Sequence, residues 1–272
     1  MATTIAAIQT AASGDVARNV AHLAELTAVA AARGANLVFL GQLCCTRWFP
    51  ATANVAIPID DHQPLLARFA ELARTHQIHL IVPLPERAGE RWHNTAFHLT
   101  PDGTVADRHR KRQLPDIDGY HERSCFTPGD GPPTPFAAAG LKVGVQICWE
   151  NYFPEGARLL ALAGADLIFA PTAAALDSHD RWRALLCSHA LCNNLYVVRL
   201  NRTGKEGDRQ FYGRSFVADP FGTAIAETGE GESILMAEID PARIAEARAA
   251  THFLEDRRPE SYAALATPPP AP

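Results

Sequence analysis

The chain has no surplus of basic residues, no long apolar run and no clustered cysteines, and each absence closes off a class of function. Lys and Arg number 25 against 30 Asp and Glu, a formal net charge of -5, and the pI lies near 6.1. Nucleic acid and anionic membrane surfaces are held by basic fields, and no run of like charge supplies one. Neither partner is expected. No apolar stretch approaches the roughly 20 residues that span a bilayer, and the start, Met1-Ala-Thr-Thr-Ile-Ala-Ala-Ile-Gln9, lacks the basic segment of a secretory signal. A cytoplasmic chain is expected. The six cysteines, at positions 44, 45, 125, 148, 187 and 192, form neither a dense disulfide framework nor a Cys-x-x-Cys pair, so no metal site is implied. Adjacent Cys44 and Cys45 read as two small residues near a strand end, and Cys187 and Cys192 as helix packing. No cofactor is called for. Gly204-Lys-Glu-Gly207 lacks the Gly-x-x-x-x-Gly-Lys pattern of a phosphate loop and reads as a mobile loop before Phe211.

What the chain does have is enough apolar residue, 47% of 272, to bury a substantial core. Apolar strand-like runs alternate with helical segments. Thr4 to Gln9, Leu37 to Leu40, Ile78 to Pro83, Asn94 to Thr100, Lys142 to Ile147, Asp166 to Ala170 and Leu195 to Leu200 read as strands, with hairpin-like strands at Arg214 to Asp219 and Thr223 to Glu227. Helices are predicted from Asp15 to Arg33, Pro64 to His76, Pro154 to Ala163 and Asp180 to Asn194. Strands that are apolar throughout are buried on both faces, so the pattern predicts an α/β fold with helices covering sheets. No linker interrupts the first 250 residues. One domain over 1–262 is expected, with 263–272 as a Pro-rich flexible tail.

Cys148 ends the run Lys142-Val-Gly-Val-Gln-Ile147 and is followed by Trp149-Glu-Asn-Tyr-Phe-Pro-Glu155, which reads as a strand, a sharp turn carrying a thiol, and a helix start. Only a thiolate is a competent nucleophile, so the thiol needs a nearby cation or helix N-terminus and a base. His109, His179 and His189 raise a Cys–His dyad, but histidine is common as a satisfied polar residue. Lys111, in Arg108-His-Arg-Lys-Arg112, would by itself read as part of a solvated basic face.

Taken together, the Lys111 segment, Asp116 to Asp130, Lys142 to Glu150, Phe153-Pro-Glu-Gly-Ala-Arg158, Gly164 to Thr172, Phe211 to Phe216 and Phe253 to Tyr262 resemble the nitrilase superfamily of carbon-nitrogen hydrolases. Within it the chain most resembles the N-carbamoylputrescine amidase branch. The likeness covers nearly the whole sequence. It implies a four-layer α-β-β-α sandwich, assembly into a homodimer or larger homo-oligomer, and a small amide or N-carbamoyl substrate. It also implies that Cys148 is the nucleophile, Lys111 the cation for the oxyanion and Glu122 a supporting carboxylate. The family's general-base glutamate falls on Gln42, within Gly41-Gln42-Leu43. An amide keeps the shape of a carboxylate but exchanges no proton at neutral pH.

Three readings follow: a hydrolase in which Glu122 or Glu150 moves the proton; a site arrested by glutamine in place of glutamate, which Gln42→Glu would revive; or a silent or acyl-transferring member. For the substrate, Trp149 and Glu150 are expected beside the thiol, with Glu150 holding a cationic amine. Trp48, within Arg47-Trp48-Phe49, and Thr172, at the start of the run to His179, are expected at the rim.

Overall fold

The computed structural model describes residues 2–175 and 177–267. In chain order the first half gives β1 (Thr3–Gln9), α1 (Val16–Ala32), β2 (Leu37–Leu40), α2 (Gln63–His76), β3 (His79–Ala88), β4 (Arg91–Leu99) and β5 (Val105–Arg110). A short ribbon, β6 (Asp116–Ile117) and β7 (Tyr120–His121), precedes β8 (Phe136–Ala138), β9 (Leu141–Val145), α3 (Pro154–Leu162), β10 (Leu167–Thr172), α4 (His179–Asn193) and β11 (Tyr196–Asn201). Then come β12 (Thr203–Glu206), β13 (Arg209–Tyr212), β14 (Phe216–Ala218), β15 (Ala224–Glu227), β16 (Ser233–Ile239) and α5 (Pro241–Thr251).

Two six-stranded sheets result, ordered β16-β1-β2-β3-β4-β5 and β15-β14-β11-β10-β9-β8. Each has a parallel centre, β1-β2-β3 and β9-β10-β11, with antiparallel strands outside it. The continuous apolar runs follow from burial on both faces. Along β1, Ile5 and Ala7 point into the core shared with the second sheet, while Ala6 and Ile8 meet α1 and α2. Phe39 of β2 stacks on Phe169 of β10 with ring centroids 4.5 Å apart, which closes the sheets face to face. Residues of α3 and α4, such as Leu160 and Leu186, cover the far side of the second sheet. This is the expected four-layer α-β-β-α sandwich. Fully burying a side chain of this size is worth about 1.5–3 kcal/mol.

Helix boundaries follow their caps. Asp15 accepts the Arg18 N–H at 3.1 Å to open α1, and Gln77 in the left-handed region closes α2.

Several elements depart from the sequence reading. The basic cluster at Arg108 belongs to the edge strand β5. Lys205 and Glu206 lie in the β12–β13 hairpin rather than in a mobile loop, because the buried Glu206 carboxylate accepts from Arg202 at 2.7 Å and from the Trp48 N–H at 2.6 Å. Residues 263–266 of the expected tail close a 3-10 run, Pro259–Ala266, opened by proline; 268–272 lie outside the described residues. Among the described residues no helix is long and apolar enough to cross a membrane.

Candidate active site

The thiol sits on a strained elbow. Three residues beyond β9, Cys148 takes φ 47, a left-handed conformation that costs an L-residue roughly 1–2 kcal/mol. A 3-10 turn, Cys148–Tyr152, follows, and α3 begins only at Pro154. The turn is fastened from below. The Ile147 N–H donates to Glu150 Oε2 at 2.7 Å, and Asn151 Nδ2 donates to the carbonyls of Gln146 and Cys148, both at 2.9 Å. The sulfur is buried and receives the Ala173 N–H from just beyond β10. Burial pushes the thiol above its ordinary value, Lys111 pulls against that push, and Glu122 adds to it.

Lys111 is the first residue past β5, and its backbone N–H donates to Asn94 of β4 at 2.8 Å. Its ammonium is fully buried and donates to Glu122 Oε1 at 2.6 Å. Asn94 Nδ2 donates to Glu122 Oε2 at 3.0 Å, and Gln42 Nε2 reaches Glu122 Oε1 at 3.4 Å. Gln42 thus gives its donor to the carboxylate and leaves Oε1 buried without a partner. Its backbone is clamped by Arg202, which donates to the carbonyls of Gln42 and Leu43, both at 2.9 Å. The structure therefore gathers Gln42, Lys111 and Glu122 at the ends of β2 and β5, with the Lys111 and Glu122 charges bearing on Cys148 past the end of β9. Ligand sites in open α/β sheets sit at these strand ends.

A cavity of about 280 Å³ opens on Cys148. Its walls include Trp149, Tyr152, Tyr120, Trp182 and Arg181. Of the expected substrate contacts, Trp149 is there. Trp48 instead lies behind Tyr120, with ring centroids 5.5 Å apart, and its indole donates to Gly119 O at 3.0 Å. Thr172 is buried with its hydroxyl on Asn201 Oδ1 at 2.9 Å, tying the ends of β10 and β11. Glu150 is wholly buried beneath the elbow, against Arg112 and His109. Burial pushes its carboxyl up, but His109 and Arg112 outweigh that and hold it at about 2. With its oxygens taken by these partners it is neither a receptor for a substrate amine nor a base near neutrality. Sequence reading passed over Asn94, Arg202 and the Ala173 N–H. Only Tyr152 carried a signal, four residues past the thiol on the same turn.

The sequence model of the family "Carbon-nitrogen hydrolase" matches residues 4–249. The chain belongs to the carbon-nitrogen hydrolases. This hydrolase is 35% identical to an N-carbamoylputrescine amidase of Solanum lycopersicum, over 97% of this chain and 95% of that one. Its fold superposes on a carbon-nitrogen hydrolase from Helicobacter pylori G27 with a TM-score of 0.93 at 32% identity, covering 98% and 99% of the two chains. A glutamate-to-glutamine mutant of the amidase from Nesterenkonia sp. AN1, showing covalent addition of the acetamide moiety of fluoroacetamide at its active site cysteine, gives a TM-score of 0.83 at 28% identity, over 96% and 95%.

Proposed function

We propose that this hydrolase cleaves the C–N bond of a small N-carbamoyl amine or linear amide through an acyl-enzyme on Cys148. The observation that carries the reading is the buried Cys148 sulfur on its left-handed elbow, with the Ala173 N–H on it and the charges of the Lys111–Glu122 pair bearing on it. The sulfur attacks the substrate carbonyl carbon, and Lys111 stabilises the oxyanion that develops. The tetrahedral intermediate collapses as the departing amine or ammonia takes a proton, and water then releases the acyl group. Such a proton transfer is worth about 10²- to 10⁴-fold in rate. Gln42 has no proton to exchange, so the transfers fall to Glu122, the carboxylate it touches.

Deacylation is the step most weakened, which favours a second reading: an amine in place of water captures the acyl group. The test is ammonia release from N-carbamoyl amines and simple amides, with and without hydroxylamine. Steady release lost in Cys148→Ala supports hydrolysis, release that needs hydroxylamine supports transfer, and no acylation of Cys148 by any amide removes both. We also propose a homodimer joined through the exposed apolar residues Phe153, Leu159 and Leu162 on and beside α3.

A further inference from the structure

Arg199 sits in the middle of β11, paired with Ala170 of β10 on one side and Phe216 of β14 on the other, and its side chain is fully buried. Buried arginines are normally matched by a carboxylate, because an uncompensated buried charge costs several kcal/mol. Arg202 obeys the rule, with Glu206 at 2.7 Å. Arg199 does not: among the described residues no carboxylate pairs with it. Nη2 donates to the Tyr212 hydroxyl at 2.7 Å, Nη1 donates to the Arg214 carbonyl at 3.3 Å, and Nε has no partner. The guanidinium rests among the rings of Tyr212, Trp182 and Phe216, at 5.3, 5.4 and 6.0 Å from their centroids. Aromatic faces offset part of the cost but do not neutralise the charge.

Its position gives the unmatched charge a use. Trp182 is a wall of the cavity beside Cys148, and the Tyr212 hydroxyl lies 3.3 Å from Ser178 Oγ on that same wall. The charge of Arg199 is felt at Cys148 and at Tyr152. A second arginine, Arg181, lines the cavity directly, where its guanidinium donates to the Asp177 carbonyl at 3.4 Å and, among the described residues, pairs with no carboxylate. Among the described residues the cavity lining includes no Asp or Glu. A substrate whose far end is an ammonium would meet the fields of both arginines with no carboxylate on the described wall, whereas a carboxylate there would pair with Arg181 and offset the charge of Arg199 through the wall.

We infer that Arg199 and Arg181 select amides and ureides that carry a carboxylate at the end remote from the scissile C–N bond. Arg199 acts from behind the Trp182–Tyr212 wall as a specificity-determining residue, and Arg181 meets the anion at the mouth. The inference rests on the hydrolase reading only in placing the scissile end at Cys148.

The test compares three ureides of matched length, 4-ureidobutanoate, butylurea and 4-aminobutylurea, binding to the Cys148→Ala chain by calorimetry, which does not depend on turnover. The carboxylate compound should bind at least about tenfold more tightly than butylurea, as a charge-assisted contact allows, and 4-aminobutylurea more weakly than either. Arg199→Met should erase the preference while the thermal midpoint holds or rises, since it removes an unmatched buried charge. Arg181→Gln, at an exposed position, should reduce the preference without touching the fold. Equal binding of the three, tighter binding of 4-aminobutylurea, or a preference that survives both substitutions overturns the inference. So does binding of none while simple amides still acylate Cys148 in the unaltered chain. A carboxylate preference in Cys148→Ala with no acylation of the unaltered chain would instead uphold it and remove the hydrolase reading.

Discussion

Glu150 and Arg112 meet twice on one oxygen: the Arg112 backbone N–H donates to Oε1 at 3.0 Å and its Nε donates to the same atom at 3.1 Å. The other oxygen takes the Ile147 N–H at 2.7 Å and faces His109 Nε2 at 2.8 Å. His109 and Arg112 flank Lys111, and Ile147 precedes Cys148. One buried carboxylate therefore holds the lysine segment against the nucleophile elbow.

Removing that carboxylate should loosen both. Glu150→Ala leaves His109 and Arg112 without their anion and is expected to cost about 3–5 kcal/mol, as for other broken buried pairs. The pH dependence has a definite sign. A carboxyl held at about 2 in the fold against an ordinary 4.5 stabilises the fold fully above 4.5, and that stability drains away as pH falls from 4.5 towards 2. The shift is worth about 3 kcal/mol. Urea midpoints taken between pH 3 and 7 should fall steeply on the acid side in the native chain and less steeply in Glu150→Gln; parallel curves would refute the coupling.

Gln42 sets the expected outcome of its own reversal. A carboxylate there would stand beside Glu122 with Lys111 as their shared cation, and like charges at close range raise one of the two pKa values, the condition for a base near neutrality. Gln42→Glu should raise ammonia release by about 10²- to 10⁴-fold. Intact-mass measurement should find the acyl adduct on Cys148 accumulating in the native chain and absent at steady state in the variant. No gain in rate would show that Glu122 alone moves the proton without loss, and that glutamine at 42 does not slow deacylation.

The sandwich was readable because apolar runs buried on both faces announce themselves, as β1, β9 and β10 do. The elbow that carries Cys148 was readable because a thiol between an apolar strand and a proline-started helix is an unusual local pattern. Glu150 was misplaced for a physical reason: sequence puts it two residues from the thiol, but the 3-10 turn swings its carboxylate beneath the elbow. Trp48 failed likewise, since its indole bonds Gly119 and faces the core side of Tyr120. Arg199 left no trace at all. In a run such as Leu195-Tyr-Val-Val-Arg-Leu200 a single arginine reads as a break in the pattern, and only the packing of β11 shows it to be buried.

The Lys111–Glu122 pair should separate stability from activity. Both groups are fully buried at 2.6 Å, so Lys111→Met or Glu122→Gln alone strands a charge and should cost about 3–5 kcal/mol, whereas Lys111→Met with Glu122→Leu removes both and should recover most of that loss. Activity should stay absent in all three. Thermal melts and amide turnover on the same samples decide it; activity in the double variant would take the pair out of the chemistry.

The Cys148 thiol supplies the last test. Burial pushes it above its ordinary 9.0, Lys111 pulls it down without winning, and Glu122 pushes it further up, so near neutrality the sulfur carries its proton. Alkylation proceeds through the thiolate, whose fraction rises about tenfold per pH unit below the pKa. The rate with chloroacetamide, followed by intact mass on Cys148 alone, should therefore climb through pH 8 and 9 without levelling. Lys111→Met should move the curve to higher pH by removing the attracting charge, and Glu122→Gln to lower pH by removing the repelling one. A plateau below pH 8 would mean that the elbow and the Ala173 N–H stabilise the anion more than burial opposes it, and the proton acceptor sought in Glu122 would then not be needed for attack.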